Sequence, residues 1–244
     1  SISMFYDLDE PVKFAKAIAS VLSDDGVWVF EQSYLPAMLR TNSYDTICQE
    51  HVEYYSLVAI EHILQQAGMV IIDASQNEVN GGSVRLAAAQ KNSSLANKVS
   101  PEASWLIQQE KNHDINSNKP WVDFQKNVER QKLDLVNLLT ELKNSGKTVI
   151  GYGASTKGNV ILQYCGIGPE LLPLIGDITP SKDGAFTPGS KIPIISMEKA
   201  KAMKPDYFLV LPWGFRADIM LREKEAVANG TKFIFPLPFV EIVS

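Results

Sequence analysis

The stretch Thr148-Val-Ile-Gly-Tyr-Gly-Ala-Ser-Thr-Lys-Gly158 decides the fold class of this 244-residue chain. β-Branched residues near its start predict a strand, and the glycines that follow predict a tight turn. Residues Lys157–Cys165 continue as a helix. The spacing of Gly151, Gly153 and Gly158 is a loose relative of a dinucleotide-binding fingerprint, which is a weak signal by itself. The order of strand, glycine turn and helix predicts an α/β fold.

Strands and helices alternate after this stretch, which predicts a parallel sheet. The strands are predicted at Leu172–Asp177, Tyr207–Trp213 and Lys232–Phe235, and the helices at about Met197–Met203 and Arg216–Asn229. Residues 147–244 are therefore expected to form a Rossmann-like α/β domain.

Residues 1–91 follow the pattern with which one half of an α/β sheet ends: strand, helix, strand, short link, strand. A first helix is expected at about Pro11–Leu22, with Asp9 as its cap. Ser56 is expected to cap a later helix, which ends at Gly68. The predicted elements are a buried strand at Val27–Glu31, a helix at Leu57–Ala67, and strands at Met69–Asp73 and Ser83–Ala89.

The segment 92–146 is polar, with sparse apolar residues. It predicts two amphipathic helices, at about Pro101–His113 and Pro120–Lys143, joined by the loop Asn116–Lys119. We expect a helical connector between two domains.

Composition excludes several classes of function. A formal net charge of −5 and a pI near 5.3 argue against a nucleic-acid interface, which usually needs a basic face. No apolar run approaches the roughly 20 residues of a membrane span. Cys48 and Cys165 lie far apart, without the spacing of a zinc site or a disulfide framework. We therefore expect a cytoplasmic protein without a metal.

Tyr44-Asp-Thr-Ile-Cys-Gln-Glu-His-Val-Glu-Tyr-Tyr-Ser-Leu57 carries the candidate chemistry. It places His51 beside Glu50 and between tyrosines. An imidazole with an ordinary pKa of about 6.5 suits proton uptake near neutrality, so His51 is the predicted general base. Glu50 is predicted to orient the imidazole, or to be the base itself if desolvated. Both side chains reach one site only from a loop, because neighbours on a strand face opposite ways.

The tyrosines of the same segment are predicted to assist the reaction as hydrogen-bond donors. Tyr44 and Tyr55, and also Tyr54, are candidates for donating hydrogen bonds to an enolate oxygen or to a bound sugar. The alternative is that His51 satisfies a buried backbone group and that the tyrosines pack.

Polar residues at strand ends are further candidates, because ligands bind at the carboxyl ends of strands in open α/β sheets. Glu31, Gln32 and Tyr34 follow one predicted strand. Arg85 is a candidate partner for a substrate phosphate or, equally, a member of a structural ion pair. Asp177 ends another strand, where a ribose hydroxyl is often held, although a loop contact would give the same pattern.

The glycine turn itself is predicted to contact phosphate. Free amides, the helix dipole, hydroxyls and an ammonium would converge there. Ser and Thr at a helix start are also ordinary caps. The residues predicted to bind phosphate are Tyr152, Gly153, Ser155, Thr156 and Lys157.

Several separated motifs, taken in order, resemble those of the sugar C-methyltransferases. They are Met4–Pro11, Val27–Tyr34, the Tyr44–Leu57 segment, Asn80–Arg85 and Gly151–Gly158. That family methylates the carbon beside the ketone of nucleotide-linked 4-keto deoxysugars with S-adenosylmethionine. The resemblance implies that a general base removes the acidified proton and that the resulting enolate takes the methyl group. It also implies that residues 147–244 bind a nucleotide sugar.

The resemblance places the cofactor near Met4, Phe5 and Tyr6, which follow a strand that meets the cofactor in such enzymes. The family usually adds a cysteine-rich zinc domain and a complete S-adenosylmethionine-binding domain, and the motifs of both are absent from this sequence. The chain thus resembles the C-terminal portion of such an enzyme, with most cofactor-binding elements missing. Cys48 stands where the family often has tyrosine.

Two consequences remain as expectations. A sheet half leaves an unpaired edge at Val27–Glu31 or a neighbouring strand, so we expect self-association or pairing with a missing N-terminal half. The alternative function is a non-catalytic module that binds a nucleotide or a CoA-like ligand.

Overall fold

A computed structural model describes residues 1–115 and 117–244; of residue 80 it describes the backbone alone. Asn116, in the predicted loop Asn116–Lys119, therefore lies outside the described residues. The backbone forms two compact units. The first unit comprises Ser1–Arg40 and Gln49–Trp121, and the second comprises Thr41–Cys48 and Val122–Ser244. The expected division into residues 1–91, 92–146 and 147–244 stays a prediction.

In the sheet of the first unit, the order of the strands differs from their order along the chain. Among its described residues one sheet has the order β1-β3-β2, with β3 antiparallel to both neighbours. Residues 1–3 add backbone hydrogen bonds to β1, through Ser3 N to Glu31 O at 2.8 Å and Glu31 N to Ser1 O at 3.0 Å. The elements are α1 (Pro11–Val21), β1 (Val27–Ser33), α2 (Leu35–Arg40), α3 (Leu57–Gln66), β2 (Met69–Asn77), β3 (Ser83–Gln90) and α4 (Pro101–Asn112).

Every helix and strand predicted for residues 1–91 is present, but two details of the prediction are wrong. Asp9 does not cap α1: Glu10 occupies the cap position, without a side-chain bond, because Pro11 is the first helical residue. The strand β1 is buried on one face alone. Trp28 and Phe30 are buried, whereas Val29 is 51% exposed. Apolar residues on both faces concealed this alternation in the sequence.

The core of the first unit is an aromatic cluster under β1. The ring of Phe5 lies 5.4 Å from the ring of Phe30 and 5.6 Å from that of Trp28, and the latter two stack at 4.2 Å. Aromatic rings bury large apolar areas, so this cluster supplies much of the free energy that holds the N-terminal turn on the sheet.

The second unit has the predicted parallel sheet. In its described part six strands have the order β6-β5-β4-β7-β8-β9; all neighbours are parallel except β9, which is antiparallel to β8. This is the doubly wound order, which reverses between β4 and β7. The elements are α5 (Asn118–Asn144, with Val122 onward in this unit), β4 (Val149–Tyr152), α6 (Thr156–Cys165), β5 (Ile175–Asp177), β6 (Ile194–Ser196), α7 (Met197–Ala202), β7 (Tyr207–Val210), α8 (Arg216–Arg222), α9 (Lys224–Ala228), β8 (Lys232–Phe235) and β9 (Glu241–Val243).

Three predicted bounds in this unit are corrected by the structure. The strand predicted from Leu172 begins at Ile175, since Pro173 has no N–H for the ladder. The strand predicted to reach Trp213 ends at Val210, before Pro212. The single helix predicted at Arg216–Asn229 is two helices, α8 and α9, separated at Glu223, whose side chain is buried.

The predicted helices of the connector are present as α4 and α5. Buried residues of α5 recur at helical spacing at Phe124, Val128, Gln131, Leu135 and Leu139, which confirms its amphipathic character. Across residues 1–115 and 117–244, none of the helices is long and apolar enough to cross a bilayer.

Candidate functional site

The Tyr44–Leu57 segment is divided between the two units. Residues 44–48 belong to the second unit, and Glu50, His51, Tyr54 and Tyr55 belong to the first. Sequence spacing alone could not reveal this division, because it depends on which distant residues each half packs against.

His51 lies in the irregular stretch between residues 50 and 57, as the need for a loop predicted. Its ring centroid is 4.5 Å from that of Tyr6. The amides of Val52 and Glu53 donate to the carbonyl oxygen of Tyr6 at 3.2 and 3.1 Å, so the backbone of the loop is fixed beside the same residue. The first unit therefore brings the predicted base next to a predicted cofactor contact. Glu50 is exposed.

Buried polar atoms of three side chains in the first unit have no hydrogen-bond partner among the described residues: the amide of Gln32 and the hydroxyls of Ser33 and Tyr55. Gln32 is fully buried, and neither atom of its amide has a hydrogen-bond partner among the described residues. The same holds for the hydroxyl of Tyr55, whose ring lies 5.4 Å from Phe5. Burial raises the pKa of Tyr55, and the charge of Glu53 raises it further. An unmade buried hydrogen bond costs about 1–3 kcal/mol, so the amide of Gln32 and the hydroxyl of Tyr55 are candidates for contacting a polar ligand.

Tyr34 is held by a residue that the sequence did not suggest. Its hydroxyl donates to Oε1 of Glu110 at 2.7 Å, and both side chains are buried. Burial raises the pKa of Tyr34, and the charge of Glu110 adds to this effect. A signal was present: Ala103, Leu106 and Glu110 share the buried stripe of α4, where a charged residue is unusual.

The remaining candidates of the first unit lie at its surface or in its core. Arg85 is exposed on β3, directly opposite the half-buried Glu31 of β1. Opposite charges across a strand pair stabilise it modestly. Met4 is half-buried, and Phe5 and Tyr6 are buried.

In the second unit Tyr44 is buried, and its hydroxyl is engaged. The hydroxyl donates to Oε1 of Gln131 at 2.8 Å and lies 3.4 Å from Sγ of Cys165. Gln131 in turn donates to the carbonyl oxygen of Pro236 at 2.8 Å. Burial raises the pKa of Tyr44, and the neighbouring Cys165 adds to this. Tyr44 thus anchors residues 41–48 within the second unit.

The neighbouring Asp45 was not singled out from the sequence, yet its carboxylate is 1% exposed. Oδ2 accepts a hydrogen bond from Nε1 of Trp213 at 2.7 Å. Burial raises the pKa of Asp45, while the charge of Lys157 and the Trp213 hydrogen bond oppose the rise. Burial lowers the pKa of Lys157, and the charges of Asp45 and Cys48 partly offset this.

The glycine turn after β4 is shaped by close packing. Gly153 has φ +81°, and a Cβ there would lie 2.9 Å from the Pro212 ring. At Gly158 a Cβ would lie 2.6 Å from Cβ of Leu211, so glycine lets α6 approach the sheet. Ser155 is the cap of α6, since its Oγ accepts from Gly158 N at 3.0 Å.

A cleft of about 320 Å³ opens at the carboxyl ends of the strands, where the strand order reverses. Tyr152, Gly153, Ser155 and Asp177 line it, together with side chains that the sequence did not suggest, among them Lys182, Phe215 and Arg222. Thr156 and Lys157 are not part of this lining. The size suits a small organic ligand.

Asp177 makes loop contacts in this cleft. Its carboxylate accepts from Ala154 N and from Thr179 N, each at 2.7 Å, and Lys182 Nζ lies 3.4 Å away. Burial alone would raise the pKa of Asp177, but the hydrogen bonds from Thr179 and Ala154 and the Lys182 charge hold it below its usual value.

Tyr152 is fixed by a charge cluster around the buried carboxylate of Glu223. Its hydroxyl donates to Oε1 of Glu223 at 2.8 Å and accepts from Nη2 of Arg222 at 2.8 Å. Lys201 pairs with Oε2 of Glu223 at 2.6 Å. Burial raises the pKa of Tyr152, and Glu223 adds to this. Among the described residues, no group of three His, Cys, Asp or Glu side chains is arranged to hold a metal.

A doubly wound sheet with a cleft at its reversal point places the second unit among Rossmann-type α/β units. Residues 78–238 match the family model described as the C-methyltransferase C-terminal domain, and the chain belongs to that family. It is also 34% identical over 227 residues to the C-methyltransferase NovU of Streptomyces niveus. That alignment covers 93% of this chain and 54% of NovU, so the chain spans about half the length of this curated relative.

Proposed function

We propose that this chain serves in an S-adenosylmethionine-dependent C-methyltransferase that acts on the carbon beside the ketone of a nucleotide-linked 4-keto sugar. Membership of the C-methyltransferase family supports the reaction class. The observation that carries the assignment of the base is the placement of His51 on a loop, with its ring 4.5 Å from that of Tyr6.

Several residues of the first unit are candidates for contacting the cofactor. Phe5 is 1% exposed and packed among aromatic rings, so its side chain is committed to the core. Met4 is half-buried, and the unpartnered amide of Gln32 and hydroxyl of Tyr55 are groups that a polar ligand would satisfy. When bound, S-adenosylmethionine supplies an electrophilic methyl group.

His51 performs the first chemical step in this proposal. The ketone acidifies the neighbouring C–H; a ring nitrogen of His51 takes that proton, and the electron pair of the C–H bond passes into an enolate. Glu50, next in sequence, is proposed to orient or stabilise the imidazolium. Tyr55 is proposed to donate a hydrogen bond to the enolate oxygen, since its hydroxyl is unpaired in the described chain. Tyr44, already bonded to Gln131, is proposed to act through the placement of residues 41–48.

The cleft of the second unit is the proposed site for the nucleotide part of the substrate. Tyr152, Gly153, Ser155 and Asp177 line it, and Lys182 and Arg222 add positive charge for a diphosphate. Thr156 and Lys157 at the start of α6, and Glu31 and Arg85 in the first unit, remain predicted contacts. A cytoplasmic location and self-association also remain predictions.

The test replaces His51 by Asn in the intact protein and measures methyl transfer and exchange of the substrate's acidic C–H in D₂O. We expect both rates to fall about 10²–10⁴-fold, the usual contribution of a general base. His62→Asn is the matched control, because His62 is exposed on α3. Near-normal exchange in His51→Asn would remove His51 from this role.

The alternative, a non-catalytic module, is favoured by one observation: the second unit has a ligand-sized cleft of its own. Calorimetry of this chain with a nucleoside diphosphate and with S-adenosylmethionine separates the two functions. Nucleotide binding, together with an intact protein that neither exchanges nor methylates a keto sugar, would favour the module.

A further inference from the structure

We infer that Glu110 is a positioning residue for methyl transfer, which fixes the end of the loop that carries His51. The inference rests on the proposed role of His51. It concerns the first unit alone, in which both residues lie.

The carboxylate of Glu110 is 4% exposed and accepts hydrogen bonds from two other elements. Oε1 accepts from Leu57 N at 2.8 Å, besides the hydroxyl of Tyr34, and Oε2 accepts from Val58 N at 2.9 Å. Leu57 and Val58 are the first two residues of α3. One side chain on α4 thus holds the start of α3 and the residue that follows β1.

The first amides of a helix have no partner within the helix. In α3, Ser56 Oγ accepts from Ala59 N at 3.2 Å, and Glu110 satisfies the two preceding amides. A negative charge at this end also interacts favourably with the helix dipole. The first turn of α3 is therefore locked in place, directly after Tyr55 and Ser56.

The loop between His51 and α3 is fixed at both ends. Val52 and Glu53 are bonded to Tyr6 at one end, and Leu35 N donates to the carbonyl oxygen of Tyr55 at 3.0 Å near the other. Glu110 completes the second attachment through Leu57 and Val58. His51 is six residues before Leu57, the first residue that the Glu110 side chain holds.

Helix capping alone does not call for this arrangement. Ser56 already supplies the common local cap, whereas a buried carboxylate carries a desolvation cost that a surface cap avoids. The same carboxylate also sets the hydroxyl of Tyr34, a predicted substrate contact. Its contacts therefore converge on two parts of the candidate site.

The test is Glu110→Gln in the intact protein, assayed well below its melting temperature. With the glutamine amide nitrogen facing Val58 N, the hydrogen bond from Val58 is replaced by a contact between two donors, whereas the bond from Leu57 N and the side-chain shape are kept. We expect kcat to fall about 10–100-fold with KM changed less than about threefold, since a misplacement near 1 Å can cost 10²-fold. Hydrogen exchange of residues 52–58 should accelerate more than that of β2 and β3. Glu102→Gln, exposed on the same helix, is the control and should leave both readouts unchanged.

Glu110→Asp keeps the charge with a shorter reach and is expected to recover part of kcat, which keeps the inference testable if the glutamine variant does not fold. Unchanged kcat and exchange, or a change confined to KM, would overturn the inference. If His51→Asn retains activity, the proposed base is wrong; the exchange of residues 52–58 still decides the role of Glu110.

Discussion

The hydrogen bond between Trp213 and the buried carboxylate of Asp45 gives a prediction with a measurable magnitude. Trp213→Phe keeps an aromatic ring but removes the N–H that donates to Oδ2 at 2.7 Å. Oδ1 has no hydrogen-bond partner among the described residues, and the charge of Lys157 continues to stabilise the carboxylate when the Trp213 donor is removed. A hydrogen bond to a charged group contributes about 1.5–3 kcal/mol to stability.

The assay is a double-mutant cycle that compares Trp213→Phe in the wild-type protein and in Asp45→Ala. Without the carboxylate, the substitution costs only the difference between the two rings. We expect a coupling free energy of about 1.5–3 kcal/mol, which corresponds to about 3–12 °C in melting temperature for a protein of this size. Native-state hydrogen exchange in β7 and β8 reports the second unit specifically. Additive free energies would refute the reasoning.

The pH dependence gives an independent check. Burial raises the pKa of Asp45, so its contribution to stability is present below the unfolded pKa and is lost as pH rises through the folded value. Removing the Trp213 donor raises the folded pKa further. Trp213→Phe should therefore cost more free energy at pH 7 than near pH 4, and an equal cost at both would contradict this account.

Three further predictions concern other parts of the chain. Gly82→Ala should lower the free energy of unfolding of the first unit by about 2–4 kcal/mol in urea denaturation, because φ is +128° and the new Cβ would collide with α2. Gly68→Ala, where the new Cβ would meet open space, should cost about 1 kcal/mol. Equal losses in the two variants would contradict this. Hydrogen bonds from Thr148 and Lys147 lower the pKa of Asp206 to about 2, so its carboxyl should titrate near that value by NMR. Its contribution to stability is present above about pH 4 and should disappear as the pH falls toward 2. A titration midpoint at the ordinary value for aspartate would contradict this. At pH 8 one equivalent of alkylating reagent should modify Cys48, which is partly exposed, and spare Cys165, whose pKa burial raises; fast labelling of both would show the second thiol to be accessible.

Much of the fold was predictable because its signals are local. Apolar residues at helical spacing predicted α1, α3, α4 and α5, and the glycine turn predicted the strand β4 followed by the helix α6. The strands β6 and β9, of three residues each, were missed. Their place in the sheet depends on neighbours that are distant in sequence.

The candidate site was predictable in part for the same reason. The loop around His51 was predicted from the adjacency of two ionisable residues. The roles of Glu110 and Asp45 were not, because each depends on a hydrogen bond that spans more than fifty residues. A charged side chain in a buried stripe was the available signal for Glu110, whereas Asp45 lies in a polar stretch that reads like a surface loop.

The contact between Asp177 and Ala154 N bears on how the second unit would accept a phosphate. The amide of Ala154, in the glycine turn, already donates to the carboxylate of Asp177. Lys182 Nζ donates to the carbonyl oxygen of Ala154 at 2.7 Å. An incoming phosphate that used this amide would have to displace the protein's own anion. Affinity for phosphate there would then measure an exchange of one negative group for another.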